Sequence, residues 1–567
     1  MATTSKLRLA HLSGPNATIQ NTPPLVTSNK ARQKHGLPLL EGVDGKALKF
    51  DALRAQRLAA PVKVYVEQFS AHPLERDAAE LYGAPDGYID VDGVFHKERR
   101  GPDDKPVYEV ELRPEDGVYP LPYMAVQADG KAWEEECTEA LAPPARARQG
   151  FFPDGSRSFE EIDRLSVTGE GKASSLSSFA EVDFYRLLPP GGYTKGLPAA
   201  LRTDVGEGDI PPETRGKEFF PYKPRHLAAA PPRPALARAT NMAQKVMSSG
   251  KYDGAIFTQG SPAVEETAYW FTLLIDTTLP ICGNAAQRPQ GQISNDGPHN
   301  IVDSAHWVES KIWADEQGRN RCGTIVLQEQ QVFAAREVAK VDARPGGYRA
   351  TGGHGGILGG VNHVGKPVLL YVPAYKHTWC SEVNLTRLPS KTKAVRAGSN
   401  GIETFEIAIK NAQGELLPDA IPSVSIVKEG GYFTEDFDSD PSDESDLIAL
   451  INRKLGLGRL GGFVVEGQVP YGSMTSALRQ KVLERAIYSG MPIVRVGRGA
   501  PEGFAEGTPI WIAGSNLTGT KARLLMMACL MRFGALPPAK DPSNPTAAEK
   551  QAIETAVAAY QKVFDTH

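Results

Sequence analysis

Tyr252-Asp253-Gly254-Ala255-Ile256-Phe257-Thr258-Gln259-Gly260-Ser261-Pro262-Ala263-Val264-Glu265-Glu266-Thr267-Ala268 is the stretch on which the fold class turns. Gly254 to Thr258 is a short apolar run that stops at Gln259-Gly260, the pattern of a buried strand. Ser261-Pro262 then opens a helix. Serine is a favoured N-cap, proline a favoured first helical residue, and Glu265-Glu266 put negative charge where the helix dipole favours it. Upstream, Leu236 to Ser248 has helical periodicity and Gly250 fits the position after a helix end.

The alternation continues outward from that stretch. A strand is expected at Leu279 to Cys282, a helix from Asp296-Gly297-Pro298 through Ser310, and a strand at Thr324 to Leu327. It returns near the C-terminus: helix Asp446 to Leu455, strand Gly462 to Glu466, helix Met474 to Ser489 stopped by Gly490, strand Ile493 to Val496, strand Ile510 to Ala513, and helix Thr518 to Phe533 ended by Gly534. Strands alternating with helices imply βαβ units and an α/β fold of parallel sheets flanked by helices. In such sheets ligands bind outside the carboxyl ends of the strands, here the loops after Thr258, Cys282 and Val465.

Two stretches break the alternation. Residues 31 to 160 mix charged clusters with turn signals such as Ala84-Pro85-Asp86-Gly87 and read as an irregular, surface-rich insertion; 189 to 235, with three Pro-Pro pairs, reads as extended loop. Composition excludes several classes. The 63 Lys+Arg and 67 Asp+Glu of this 567-residue chain leave a net charge of −4, which gives no basic footprint for nucleic acid. No window reaches the ~18 consecutive apolar residues of a membrane span, and the N-terminus lacks a signal h-region, so a cytoplasmic protein with no membrane partner is expected. The five cysteines include no CxxC pair, so free thiols are expected rather than a disulfide framework or zinc site.

Some motifs match by spelling and fail by context. Gly456-Leu457-Gly458-Arg459-Leu460-Gly461 spells GxGxxG but follows a helix and precedes a strand, the reverse of a dinucleotide fingerprint. Asp436-x-Asp438-x-Asp440 begins like a calcium loop, yet proline stands at the sixth position and leucine at the twelfth. No GxSxG elbow occurs. What remains is the hydroxyl of Ser261 at a strand-to-helix turn, where backbone N–H groups can stabilise negative charge; the same serine also serves as a plain N-cap.

Five segments in order resemble the bacterial-type asparaginase/glutaminase family. Tyr252 to Ala268 resembles its strand, His-Gly-Thr-Asp-Thr turn and Glu-Glu-Thr-Ala helix, and Pro280 to Pro289 its Gly-Ala-Met-Arg-Pro loop. Ser294 to Ile301 resembles its Ser-Ala-Asp-Gly-Pro helix start, Gln331 to Lys340 the stretch ending in its catalytic lysine, and Ser515 to Arg523 its C-terminal Lys-Ala-Arg helix. The resemblance implies a two-lobed α/β fold: an N-terminal domain of residues 1–30 and 160–385 interrupted by an insertion at 31–159, a linker or hairpin at 386–420, and a C-terminal domain at 421–567. It implies a homodimer or homotetramer, no cofactor, and no metal.

By the same resemblance, Ser13-Gly14-Pro15-Asn16-Ala17-Thr18-Ile19 occupies the place of the family's nucleophile loop, with Thr18 as the attacking hydroxyl and Ser261 and Lys340 as the proton-relay arm. A variant makes Ser261 the nucleophile with Lys340, kept neutral by desolvation, as its base. Gln259, Gly260, Ala285 and Ala286 would line the substrate. The chain departs from the family where Pro262 replaces the aspartate that binds the substrate's α-ammonium, and where Arg186-Leu187-Leu188-Pro189-Pro190 follows the strand that should lead to its carboxylate grip. No tyrosine precedes Tyr65, so the family's activating tyrosine has no counterpart. The expected function is an amidohydrolase acting on a small-molecule amide other than free asparagine: a modified, cyclic, ureido or larger amide. The alternatives are an asparaginase or glutaminase with altered binding residues, and an inactive binding or regulatory protein.

Overall fold

The computed structural model describes residues 6–13, 179–186, short strand and turn segments between 26 and 121, and 232–567 apart from 262, 289–295, 345, 352–353, 430–444, 469–470, 499–504 and 506. Contacts divide the chain into two compact units. One comprises 1–229 with 258–260 and 286–305; the other comprises 230–257, 261–285 and 306–567.

In the first unit, β1 (Leu7–Ser13) pairs in parallel with β2 (Ala180–Arg186), Leu7 opposite Ala180 and Ser13 opposite Arg186. The region read as an irregular insertion holds regular structure instead: Val62–Val66 and Lys105–Leu112 belong to a six-stranded sheet that also takes in Val26–Ser28, just before that region. Val62–Val66 pairs antiparallel with Lys105–Leu112. The sequence basis is period-2 alternation, as in Val62-Lys63-Val64-Tyr65-Val66, which the abundance of turn residues around it masks.

In the second unit, helix α1 (Pro232–Met247) leads to β3 (Gly254–Thr258), α2 (Ala263–Leu274), β4 (Ile281–Asn284), α3 (Gly297–Ser310, whose first turns belong to the first unit) and β5 (Thr324–Gln328). Strand β4 lies two residues later than expected. Strands β6 (Gln331–Ala334), β9 (Ile357–Val361) and β10 (Pro367–Leu369) extend the sheet in the order β3-β4-β5-β6-β9-β10, with β7 (Val338–Lys340) and β8 (Tyr348–Ala350) as a separate antiparallel pair. The β4–β5 pairing is parallel and the pairings from β5 onward are antiparallel, so the sheet is mixed. Strands β3, β4 and β5 are buried almost throughout, which accounts for their unbroken apolar runs.

A hairpin of β11 (Lys391–Gly398) and β12 (Gly401–Ala408) precedes a wholly parallel four-stranded sheet, β13 (Ser423–Lys428), β14 (Gly461–Gly467), β15 (Ile493–Gly497) and β16 (Ile512–Ala513). Its helices are α4 (Ser445–Leu457), α5 (Ala477–Tyr488), α6 (Gly519–Phe533) and α7 (Ala547–Phe564). Ser476 and Thr518 cap α5 and α6 by accepting from the backbone N–H groups of Arg479 and Lys521. Helix α6 packs on β13 and β14 on one side and on α2 on another, which carries Lys521 to the start of α2.

Candidate active site

Ser261 follows β3 and its hydroxyl accepts a hydrogen bond from Tyr348 Oη at 2.8 Å. Tyr348 is 2% exposed and opens β8, directly opposite Lys340 in the β7–β8 ladder. The Lys340 ammonium lies 5.4 Å from the Tyr348 ring centroid and donates to the Arg344 carbonyl at 2.9 Å on the solvent side. Ser261 and Lys340 therefore meet on a common neighbour, Tyr348. A desolvated Lys340 amine was expected; the structure turns that amine outward, because the turn between β7 and β8 offers it a carbonyl.

The buried amine belongs to Lys521. It is 1% exposed and its Nζ donates to the carbonyls of Glu265 and Ala335, each at 2.6 Å. Burial lowers its pKa to about 8, against the opposing pull of Glu265, Glu337 and Glu266. Glu265, in the first turn of α2, accepts the backbone N–H of Lys340 with its carboxylate. Its pKa is raised, first by burial, with Lys521 and the Lys340 N–H pulling the other way. Ala285, at the end of β4, is buried, and beside it the Asn284 amide donates to the Leu327 carbonyl at 3.1 Å.

The remaining expected residues lie in the first unit. Thr18 falls outside the described residues. Gln259 and Gly260 follow Thr258, whose hydroxyl is 2.6 Å from Nε2 of the buried His11 on β1. Ala286 is exposed, and the backbone after it is held by Asp296, whose carboxylate accepts from the N–H groups of Gln287 and Arg288 at 2.8–3.0 Å. Among the described residues no helix is long and apolar enough to cross a membrane, and no group of His, Cys, Asp or Glu has the arrangement to hold a metal. Among the described residues, Cys282, Cys322, Cys380 and Cys529 form no disulfide.

Reasoning from the sequence missed Tyr348, His11 and the burial of Lys521. A usable signal existed for the first: Pro345-Gly346-Gly347 between two short runs is a hairpin signature that sets Tyr348 across from Lys340. His11 carries a pH dependence. Burial lowers its pKa to about 3, and that of His377 to about 4. Both imidazoles stay neutral in the folded chain while the unfolded chain takes up protons near pH 6.5. Their contribution is thus intact above pH 6.5 and lost as pH falls below it, by up to ~1.4 kcal/mol per pH unit for each histidine. Urea unfolding at pH 7, 6 and 5 should show this slope, and His11→Asn should flatten it; equal slopes in both proteins would contradict the assignment.

The mixed α/β sheet thus sets a hydroxyl at the strand-to-helix turn after β3 beside a tyrosine–lysine pair. The family profile described as Asparaginase, N-terminal, matches residues 234–346, which contain Ser261 and Lys340 and end two residues before Tyr348. The chain is 27% identical over 306 residues to a glutaminase-asparaginase of Acinetobacter glutaminasificans, covering 53% of this chain and 75% of that one. It is 36% identical over 100 residues to an L-asparaginase of Bacillus licheniformis, covering 18% of this chain and 29% of that enzyme. A probable cytoplasmic L-asparaginase from Campylobacter jejuni matches in structure with a TM-score of 0.43 at 18% identity, over 69% of this chain and 93% of that one. Residues 234–346 thus resemble an asparaginase N-terminal domain.

Proposed function

We propose that the protein is an amidohydrolase that cleaves a C–N amide bond through a hydroxyl nucleophile, on a substrate lacking the free α-amino-acid head of asparagine. The observation that carries the reading is the Ser261 hydroxyl at the end of β3, in contact with the buried Tyr348 and through it with Lys340. An amide-cleaving site needs an attacking oxygen, a group to move its proton, and donors for the oxyanion. Relatives named as asparaginases and glutaminase-asparaginases support amide chemistry. Thr18 is the nucleophile by resemblance alone; Ser261 is the hydroxyl whose partner is observed.

The substrate class follows from residue chemistry. Proline cannot pair with an ammonium group, so Pro262 removes the charge that would hold an α-amine, and an unmatched buried polar group costs on the order of 1–3 kcal/mol. The test is a panel of N-substituted, cyclic and ureido amides beside free asparagine and glutamine, assayed for ammonia or amine release. Turnover is expected on a member of the first group, with Ser261→Ala reduced to background. Fastest release from free asparagine would make the protein an altered asparaginase. No release from any member would favour the binding or regulatory role.

A further inference from the structure

We propose that Tyr348 is a catalytic residue: its phenol oxygen takes the proton of Ser261 as that hydroxyl attacks an acyl carbon, and returns it to the leaving nitrogen. The proposal rests on the amidohydrolase reading and deepens it, by moving the attacking oxygen to Ser261 and naming its base.

A buried tyrosine hydroxyl needs a partner, and the partner's chemistry distinguishes a structural bond from a reactive one. Tyr560, equally buried, donates to the Gly534 carbonyl, which has no proton to exchange. Tyr348 instead meets an alcohol, Ser261, at 2.8 Å. With the phenol protonated, Tyr348 donates to Ser261, as observed; with it ionised, the same contact reverses and Ser261 donates. Lys340 is placed for that second state, its ammonium 5.4 Å from the ring centroid and fixed across the ladder, so positive charge lies beside the phenolate as it forms. The Glu265 carboxylate is engaged by the Lys340 backbone N–H. The helix starting at Ala263, two residues past Ser261, presents backbone N–H groups at the turn where an oxyanion forms.

The steps balance. The phenolate accepts the Ser261 proton while Oγ bonds to the carbonyl carbon; the phenol then gives that proton to nitrogen as the C–N bond breaks and the amine leaves. Water, deprotonated by the same phenolate, attacks the acyl carbon. The Oγ–C bond breaks, and Tyr348 returns the proton to Ser261 with release of the acid.

The test needs no knowledge of the amide. A fluorophosphonate probe bonds phosphorus to an activated serine oxygen with loss of fluoride, and peptide mass mapping locates it. Full-length protein should be labelled at Ser261, at a rate that rises with pH, and Tyr348→Phe should be labelled about 100-fold more slowly. In Lys340→Met the midpoint of the rate–pH curve should move upward by about one pH unit, a change that a merely structural tyrosine would not produce. Labelling of Tyr348→Phe within threefold of the parent, labelling on Thr18, or no label on Ser261 would overturn the proposal. If Tyr348→Phe does not fold, the Lys340→Met midpoint decides alone. The amide panel is a separate readout: Ser261 labelling without any amide turnover would refute the amidohydrolase reading while leaving the Tyr348–Ser261 pairing in place.

Discussion

Arg336→Met is expected to lower stability by about 3–5 kcal/mol, because it strands a buried carboxylate. Arg336 and Glu337 occupy the turn between β6 and β7, with side chains only 5% and 9% exposed and 3.0 Å apart. The guanidinium also donates to the Asn516 side chain at 3.0 Å and to the His567 carbonyl at 2.8 Å, and it stacks 3.6 Å over the Tyr375 ring. Coulomb attraction alone does not make such a pair stabilising, since both charges have lost their hydration. Removing one partner is different: Glu337 would stay desolvated with its ion-pair partner gone and only the Lys521 ammonium as a positive neighbour. Urea unfolding at pH 7 gives the loss directly, and adding Glu337→Gln to Arg336→Met should recover part of it. A loss below about 1 kcal/mol, or no recovery in the double variant, would show that water reaches Glu337 and that the pair is not buried in solution. The same variant should slow the reaction at Ser261, because this turn leads straight into β7 and Lys340.

Local chemistry accounts for what the sequence made legible. The apolar run of β3, the capping hydroxyls of Ser476 and Thr518, and the stops at Gly490 and Gly534 act within a few residues of themselves, so periodicity and cap rules find them. The partnerships that shape the site act over long separations. Lys521 reaches the Glu265 carbonyl across 256 residues, and Tyr348 reaches Ser261 across 87. Periodicity reports that a face is buried; it does not report against what. Lysine is, moreover, seldom buried, so nothing at Lys521 distinguishes it from an exposed helical lysine until α6 is seen packed on α2. Lys340 shows the converse: resemblance located the residue, while the direction of its amine depended on a carbonyl four residues away.

Lys521→Met tests the other buried charge, and its sign depends on competing terms. Methionine keeps the length of the side chain and removes the desolvated ammonium, which favours the variant. Against it, two buried carbonyls, of Glu265 and Ala335, lose their donor, at about 1–3 kcal/mol each, and Glu265, Glu266 and Glu337 lose a positive neighbour. Two unsatisfied carbonyls outweigh one relieved amine, so a net loss of about 2–4 kcal/mol is expected. The pH dependence separates the terms. Lys521 titrates near pH 8 in the folded chain and near 10.5 unfolded, so between these values the unfolded chain binds more protons and the parent gains stability as pH rises. A neutral amine still has two N–H groups for the two carbonyls, so both bonds persist above pH 8. The gap between parent and Lys521→Met should therefore widen from pH 7.5 to pH 10, with comparison at each pH cancelling the buried phenols and thiols that the two proteins share. A gap that narrows would mean that the fold raises this amine's affinity for its proton, and that the carboxylates around it prevail over its burial.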